Sequence, residues 1–156
     1  MEKVNNMKKL LTALTLLSAS FIAQAEWVHV EKIDLMTDED TSFIATNDGN
    51  RKFVGFKCDS SSIKGYSIML KFDYLGESNG VYVRFDKDEP FVVYGVESTS
   101  GTSIFINPDN NEKLLAGFKD KNKVAFQTTD FRGGKKQAVY DLKGFSAQLA
   151  KMKCIK

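Results

Sequence analysis

Few side chains in this sequence are of the types that carry out catalysis. His29 is the sole histidine in 156 residues, whereas zinc sites and most general-base machinery combine a histidine with further histidines or cysteines. The clusters Ser60–Ser62 and Ser98–Ser100 lie outside the G-x-S-x-G frame of a nucleophile elbow. We therefore interpret His29 as a solvated strand residue and both clusters as loops, and we predict no catalytic residue, no metal site and no cofactor.

Carboxylates are the remaining candidates for chemistry. Short acidic clusters occur at Asp38–Asp40 and Asp86–Glu89. Two carboxylates about 5 to 10 Å apart across a cleft can hydrolyse a glycosidic bond, and oxygen-rich loops can bind calcium, although Asp109–Glu112 is too short and irregular for the calcium-loop pattern. We interpret the clusters as solvated turns. An enzyme that acts on cell-wall glycans through these carboxylates is a further hypothesis, ranked below the two that close this subsection.

Other residues have types and spacing suited to recognition. In the segment Val81–Asp86, polar or aromatic residues alternate with apolar ones, which is typical of a half-buried strand with one outward face. A second group lies at the tip of a predicted hairpin. Arginine beside aromatic rings is a frequent composition of binding surfaces. The candidate binding residues are Tyr82, Arg84 and Asp86 in the first group, and Phe131 and Arg132 in the second.

The first 25 residues have the layout of a secretory signal peptide. Lys8 and Lys9 precede an apolar run of 13 residues, Leu10–Ile22, and Ala23-Gln-Ala25 forms a small-residue cleavage site. The run is too short for a membrane anchor, which needs roughly 20 apolar residues. We predict cleavage after Ala25, translation from either Met1 or Met7, a periplasmic location, and one domain over residues 26–156.

The charge of the predicted mature chain excludes several classes of partner. The whole sequence carries 22 basic and 20 acidic residues. Lys3, Lys8, Lys9 and Glu2 lie in the leader, which leaves 22 − 3 = 19 basic and 20 − 1 = 19 acidic residues. A neutral domain lacks the excess positive charge that nucleic acids and anionic membranes select. We therefore expect a protein partner in the envelope or among secreted proteins.

Two cysteines, Cys58 and Cys154, remain in the mature chain. An oxidising compartment favours a disulfide between them, and with two cysteines no other intramolecular connectivity exists. Such a bond would join an early strand to the C-terminal segment.

Period-2 patterns dominate the predicted secondary structure. Gly76–Gly80 has a turn composition and predicts a hairpin between its two flanking strands. Apolar residues at helical spacing predict helices over Asp109–Lys119 and Gly144–Lys153, while the segment Trp27–Asp34 fits either an edge strand or an extended arm. The fold class is therefore mainly β, all-β or α+β: an antiparallel β sandwich or open barrel of seven to nine strands with two short helices. The predicted strands are Ser42–Thr46, Lys52–Cys58, Tyr66–Tyr74, Val81–Asp86, Phe91–Val96, Thr102–Ile106, Lys123–Thr129 and Lys136–Asp141.

The order of these features resembles the VasI-like family of secreted proteins associated with type VI secretion, whose relatives also occur in phage and prophage contexts. The resemblance implies a small periplasmic β domain with a non-catalytic accessory role and with its two cysteines in a bond. It supplies no active site. The matching features are Trp27, Thr37-Asp-Glu39, Phe53-Val-Gly-Phe-Lys-Cys58, Val81-Tyr-Val-Arg-Phe-Asp86, Ala138-Val-Tyr-Asp-Leu-Lys-Gly-Phe145 and Cys154.

Two functional hypotheses follow from these observations. The first is a non-catalytic periplasmic accessory protein that acts through protein contacts, either in a type VI secretion setting or as an exclusion factor of a phage or prophage. The alternative is an inhibitor of an envelope enzyme such as lysozyme, which would insert a loop into the enzyme's cleft. Phe131–Arg132 and Glu77–Asn79 are the candidate loops for that role.

Overall fold

A computed structural model describes residues 26–73, 75 and 80–156. The predicted signal peptide and residues 76–79 of the predicted turn lie outside this part of the chain. The strands are β1 Val28–Val30, β2 Phe43–Asn47, β3 Phe53–Cys58, β4 Tyr66–Lys71, β5 Val81–Phe85, β6 Phe91–Val93, β7 Gly95–Glu97, β8 Ser103–Ile106, β9 Lys123–Thr129 and β10 Lys135–Asp141. The helices are α1 Asn111–Asp120, preceded by a 3-10 turn Pro108–Asn110, and α2 Phe145–Leu149.

The described strands form two separate antiparallel sheets. One has six strands in the order β1-β2-β3-β4-β8-β7, and the other has four in the order β10-β9-β5-β6. Inward-facing apolar residues of both sheets belong to one core. The predicted mainly β fold is confirmed in its sandwich form, with two short helices, and the sheets do not close into a barrel. The ambiguous segment after Trp27 contributes β1, an edge strand paired with β2.

The predicted hairpin between Tyr66–Tyr74 and Val81–Asp86 is wrong. β4 pairs with β3 and β8, whereas β5 pairs with β6 and β9 in the other sheet. Each of the two strands buries one apolar face in the shared core. The chain therefore crosses from one sheet to the other between them, because both apolar faces are covered better across the sandwich than side by side.

The predicted strand Phe91–Val96 is also two elements, because the chain changes sheets at Tyr94. β6 pairs with β5 and β7 pairs with β8. Gly95 lies directly after the corner, where a Cβ atom would stand 2.4 Å from the carbonyl oxygen of Phe105. Glycine therefore permits β7 to lie against β8 at this point.

Four aromatic rings close one end of the core. Phe118 of α1 and Phe145 of α2 lie with their ring centroids 5.1 Å apart, and both contact Phe56 of β3. Trp27 packs edge-on against the rings of both helices, at 5.8 and 4.9 Å. Its indole Nε1 donates a hydrogen bond of 2.9 Å to the carbonyl of Asp141. Ring packing thus holds both helices against the six-stranded sheet.

The predicted disulfide between Cys58 and Cys154 is present, with the two Cα atoms 5.7 Å apart. It joins the end of β3 to the segment after α2. The bond spans 96 positions in sequence, so the chain-entropy model attributes roughly 4–5 kcal/mol of stabilisation to it. Such bonds persist in oxidising compartments, and the bond is therefore compatible with an extracytoplasmic location.

Helix α2 is shorter than predicted, because it ends at Leu149 instead of reaching Lys153. Met152 nevertheless stays buried beyond the helix end. The apolar stripe that indicated a longer helix therefore marks the buried residues correctly and the helix boundary incorrectly.

Substituting Gly117→Ala tests the close contact between α1 and β5. A Cβ atom at residue 117 would lie 2.3 Å from the ring of Phe85, which is 5% exposed. In an open helix this change stabilises by about 0.5–1 kcal/mol, but here overpacking should lower the free energy of unfolding by about 1–3 kcal/mol. Urea denaturation measures the difference. In a Phe85→Leu background the penalty should shrink, and an equal penalty in both backgrounds would contradict this packing.

Candidate functional site

Tyr82 of β5 lies on the outer face of the four-stranded sheet, as predicted from the alternation of its segment. Tyr82 is 54% exposed. The strand register places Val92 of β6 on one side of it and Gln127 of β9 on the other, and Gln137 of β10 completes the row. The Gln137 Nε2 donates a hydrogen bond of 2.7 Å to the Gln127 Oε1. We call these four residues the Tyr82 face.

Two shallow depressions flank the Tyr82 ring. One, of about 330 Å³, lies towards Pro90 and Val139. The other, of about 260 Å³, lies towards Tyr94 and Thr129. Tyr82 and Gln127 line both, so one phenol and one amide are presented between two concave surfaces on a strand scaffold.

Arg84 lies on the same face, but its guanidinium group is directed to its own loop. The Nε donates a hydrogen bond of 2.9 Å to the carbonyl of Asp88, and the Nη2 donates one of 3.2 Å to that of Lys87. These bonds satisfy carbonyl groups of the β5–β6 connection. Arg84 therefore holds that connection in addition to any contact it makes with a partner.

Asp86 joins the end of β5 to the start of β9. Its carboxylate accepts hydrogen bonds from the backbone N–H of Lys123 at 2.8 Å, from the backbone N–H of Asn122 at 3.2 Å, and from the Asn122 side-chain amide. The backbone of Asp86 has a φ of 46°, in the left-handed region that aspartate and asparagine tolerate. The Asn122 and Lys123 N–H groups lower the pKa of this carboxyl, since hydrogen bonds favour its charged form.

The predicted hairpin tip lies between β9 and β10. The Asp130 Oδ1 accepts hydrogen bonds from the N–H groups of Arg132 and Gly134 at 2.9 and 2.8 Å, which also lower the Asp130 pKa. The N–H of Phe131 donates a hydrogen bond to the carbonyl of Leu75 at 2.8 Å. The Phe131 side chain is 55% exposed, and the Arg132 guanidinium carbon lies 5.0 Å from its ring centroid. The turn thus presents an aromatic–arginine pair on an ordered backbone.

The five predicted binding residues do not form one cluster. Asp86 lies beside Lys123 at the start of β9, Tyr82 lies beside Gln127 at its middle, and Phe131 follows its end. At about 3.3 Å per residue, β9 alone separates the level of Asp86 from the turn by roughly 20 Å. The arrangement offers two separate contact points, the Tyr82 face and the 131–132 tip.

An apolar groove on the outer face of the six-stranded sheet was missed by the sequence analysis. It has a volume of about 470 Å³, and its lining includes Phe43, Ala45, Phe53, Gly55 and Met69. The signal was available in β2 and β3, because two of the three outward positions in each strand are apolar. A strand that is buried on both faces also has apolar residues on both faces. Only the arrangement of the strands in the sheet therefore shows that the described residues leave this face uncovered.

Other kinds of site find less support in the described residues. Among residues 26–73, 75 and 80–156, no three His, Cys, Asp or Glu side chains are grouped closely enough to hold a metal ion. Within the same part of the chain, no helix is both long and apolar enough to cross a membrane. The prediction that His29 is solvated is wrong. The residue is half-buried, since its position on β1 is opposite buried Ile44.

Comparisons with known proteins concern the fold. No protein-family model matches this chain, and no curated protein matches its sequence. Among solved structures, the chain is similar to invasion associated protein B from Bartonella henselae, with a TM-score of 0.56 and 17% sequence identity, over 82% of this chain and 92% of that one. Likeness at this identity shows a shared fold and assigns no residue roles.

An Asp86→Asn variant should have a weaker acid dependence of stability than the wild-type protein. Folding lowers the Asp86 pKa below its ordinary value of 3.8, so the stability contributed by the charged form is complete above about pH 4 and disappears as the pH falls through the lower folded-state pKa. Asparagine keeps the backbone conformation but has no such charge.

Urea denaturation between pH 5 and pH 2 measures this dependence. The matched control is Asp109→Asn, an exposed carboxyl of the 3-10 turn, which should keep the wild-type acid dependence. Identical slopes for Asp86→Asn and wild type would contradict a contribution of the Asp86 charge to the stability of the fold.

Proposed function

We propose that this protein is a non-catalytic accessory protein of the periplasm that binds an envelope or secreted protein through its Tyr82 face. The observation that carries the proposal is the outward-facing row Gln137–Gln127–Tyr82–Val92 across four paired strands, in which all residues but Gln127 are exposed. Tyrosine is enriched at protein interfaces and charged residues are depleted from their centres. Residues held on paired strands also lose little conformational freedom on binding.

The cellular setting of the proposal rests on separate observations. The signal-peptide layout of residues 1–25 and the disulfide Cys58–Cys154 both favour an exported protein. The resemblance to the VasI-like family supports a type VI secretion setting, and its phage relatives support an exclusion factor. The genes beside this one would distinguish the two settings.

A Tyr82→Glu variant should lose its partner, because the charge would lie at the centre of the contact. The disulfide-bonded protein is immobilised, exposed to periplasmic extract, and the captured proteins are quantified by mass spectrometry for each variant. The matched control is Ile63→Glu, which places the same charge at an 85% exposed apolar residue in the β3–β4 connection.

The expected result is at least one protein whose capture falls tenfold or more with Tyr82→Glu and is unchanged with Ile63→Glu. Capture that is equal for all three proteins, or is lost equally with both variants, would contradict a role for the Tyr82 face.

Inhibition of an envelope enzyme such as lysozyme is a second candidate function, and the 131–132 tip favours it. An inhibitor loop gains affinity when its backbone is ordered before binding, and the Asp130 hydrogen bonds order this turn. The other loop considered for this role, Glu77–Asn79, lies outside the described residues.

A lysozyme assay tests the inhibitor hypothesis directly. If this function is correct, the protein at micromolar excess inhibits cell-wall hydrolysis, and the double variant Phe131→Ser, Arg132→Ser inhibits at least tenfold less. The Tyr82→Glu variant should inhibit as the wild type does. Absence of inhibition by the wild-type protein would exclude lysozyme as the target.

A further inference from the structure

We propose that the groove on the six-stranded sheet binds a free amphiphile with one hydrocarbon chain and an anionic head group, with the chain lying across the strands and the head group at Lys57. The site is distinct from the Tyr82 face, which lies on the other sheet, so the proposal does not depend on the proposed function.

The groove lies along part of one row of the strand register, where Val28, Ala45, Gly55 and Met69 line it. Six directly paired positions, one from each strand, are all apolar on the outward side. Paired strands are about 4.8 Å apart, so the row is roughly 24 Å long. Its residues, from one edge to the other, are Val28, Ala45, Gly55, Met69, Phe105 and Val96.

The shape of the groove comes from residue size along that row. Ala45 and Gly55 are small and adjacent, while the aromatic rings of Phe43 and Phe53 lie on either side of the row and also line the groove. The larger Met69 follows on β4. A trough of this kind accepts a flexible apolar chain between two aromatic walls.

Gly55 is the residue whose presence the fold itself does not explain. Its backbone is not among the glycines with positive φ. A Cβ atom there would meet no protein atom closer than 3.4 Å, which is ordinary van der Waals contact. Glycine inside a strand costs stability, and it often marks the close approach of a ligand. A glycine at this position, in ordinary contact with Ala45 and Phe53, is therefore consistent with a ligand site in the groove above it.

The chemistry of the groove favours a hydrocarbon chain over a peptide. The outer face of a sheet offers side chains only, because the backbone N–H and C=O groups of its inner strands are paired within the sheet. A peptide lying across this face would leave its own buried backbone groups without partners, which is unfavourable. A hydrocarbon chain has no such groups, and the volume of about 470 Å³ is within the range of small-molecule sites.

Charge at the groove selects the head group. Lys57 lines the groove, and in the described part of the chain its ammonium group has no ion-pair partner. Glu26 lines the opposite side of the row, four residues before Val30, whose level on β2 and β3 is that of Lys57. An anionic head at Lys57 therefore lies away from the one carboxylate of the lining. Lys71, whose ammonium is 5.7 Å from the Phe53 ring centroid, adds positive charge and disfavours face-to-face contact with a second copy.

Isothermal titration calorimetry of the disulfide-bonded protein with dodecanoate tests the proposal. The dodecanoate is kept below its critical micelle concentration. We expect saturable binding with one ligand per chain, and at least tenfold weaker binding of dodecyltrimethylammonium, which has the same chain and the opposite charge. Lys57→Glu should weaken dodecanoate binding at least tenfold. Lys135→Glu, the same change on the other sheet, should leave it unchanged.

A Gly55→Val variant separates ligand binding from folding. A Cβ atom at residue 55 lies no closer than 3.4 Å to any protein atom, so the variant should fold with a melting temperature equal to or above that of the wild type, while dodecanoate binding falls at least tenfold. Ala45→Leu fills the adjacent position and serves if Gly55→Val folds poorly. Unchanged dodecanoate binding in a folded groove-filling variant would overturn the proposal.

Further outcomes would also overturn it. These are equal affinity for the two detergents of opposite charge, and binding to phosphatidylglycerol vesicles without binding to free dodecanoate, which would indicate a membrane surface. Sedimentation that shows a concentration-dependent dimer for the wild type and a monomer for Gly55→Val would indicate a second copy of this chain as the occupant.

Discussion

The packing of Trp27, Phe56, Phe118 and Phe145 is the interaction on which the arrangement of the other elements depends. The four rings come from the segment before β1, from β3, from α1 and from α2, and neighbouring centroids lie 4.9–5.8 Å apart. Aromatic pairs in such edge-on and tilted geometries contribute beyond the apolar area that they bury. The cluster therefore brings both helices and the first described strand to one end of the sandwich, where the disulfide of Cys58 also lies two residues after Phe56.

Because the core and the helices cover the inner faces of the sheets, the described residues leave both outer faces available for contacts with other molecules. The two faces differ in chemistry. The four-stranded sheet presents a phenol and two amides around Tyr82, whereas the six-stranded sheet presents an apolar row centred on Gly55. The first composition suits a polar protein interface and the second suits a hydrocarbon chain.

Part of the site was predictable because strand alternation assigns side chains to faces. The outward position of Tyr82 followed from its apolar neighbours on β5. The hydrogen bonds of Asp86 did not, since its partners Asn122 and Lys123 are 36 and 37 residues later in the chain. The groove likewise depends on the pairing of Ala45 with Gly55, which the local pattern of neither strand contains.

The sequence by itself determined which segments are extended, which face of each is apolar, and which two cysteines could pair. Period-2 alternation is visible within a single segment, and the cysteine count is visible in the composition, so neither requires knowledge of which segments are neighbours. Tertiary structure decided which strands are neighbours. It placed β4 and β5 in different sheets, divided the segment 91–97 at Tyr94, and left the face around Gly55 uncovered by the described residues. The physical reason is that burial of an apolar strand face is favourable against any apolar surface. Which surface buries it depends on how the whole core packs.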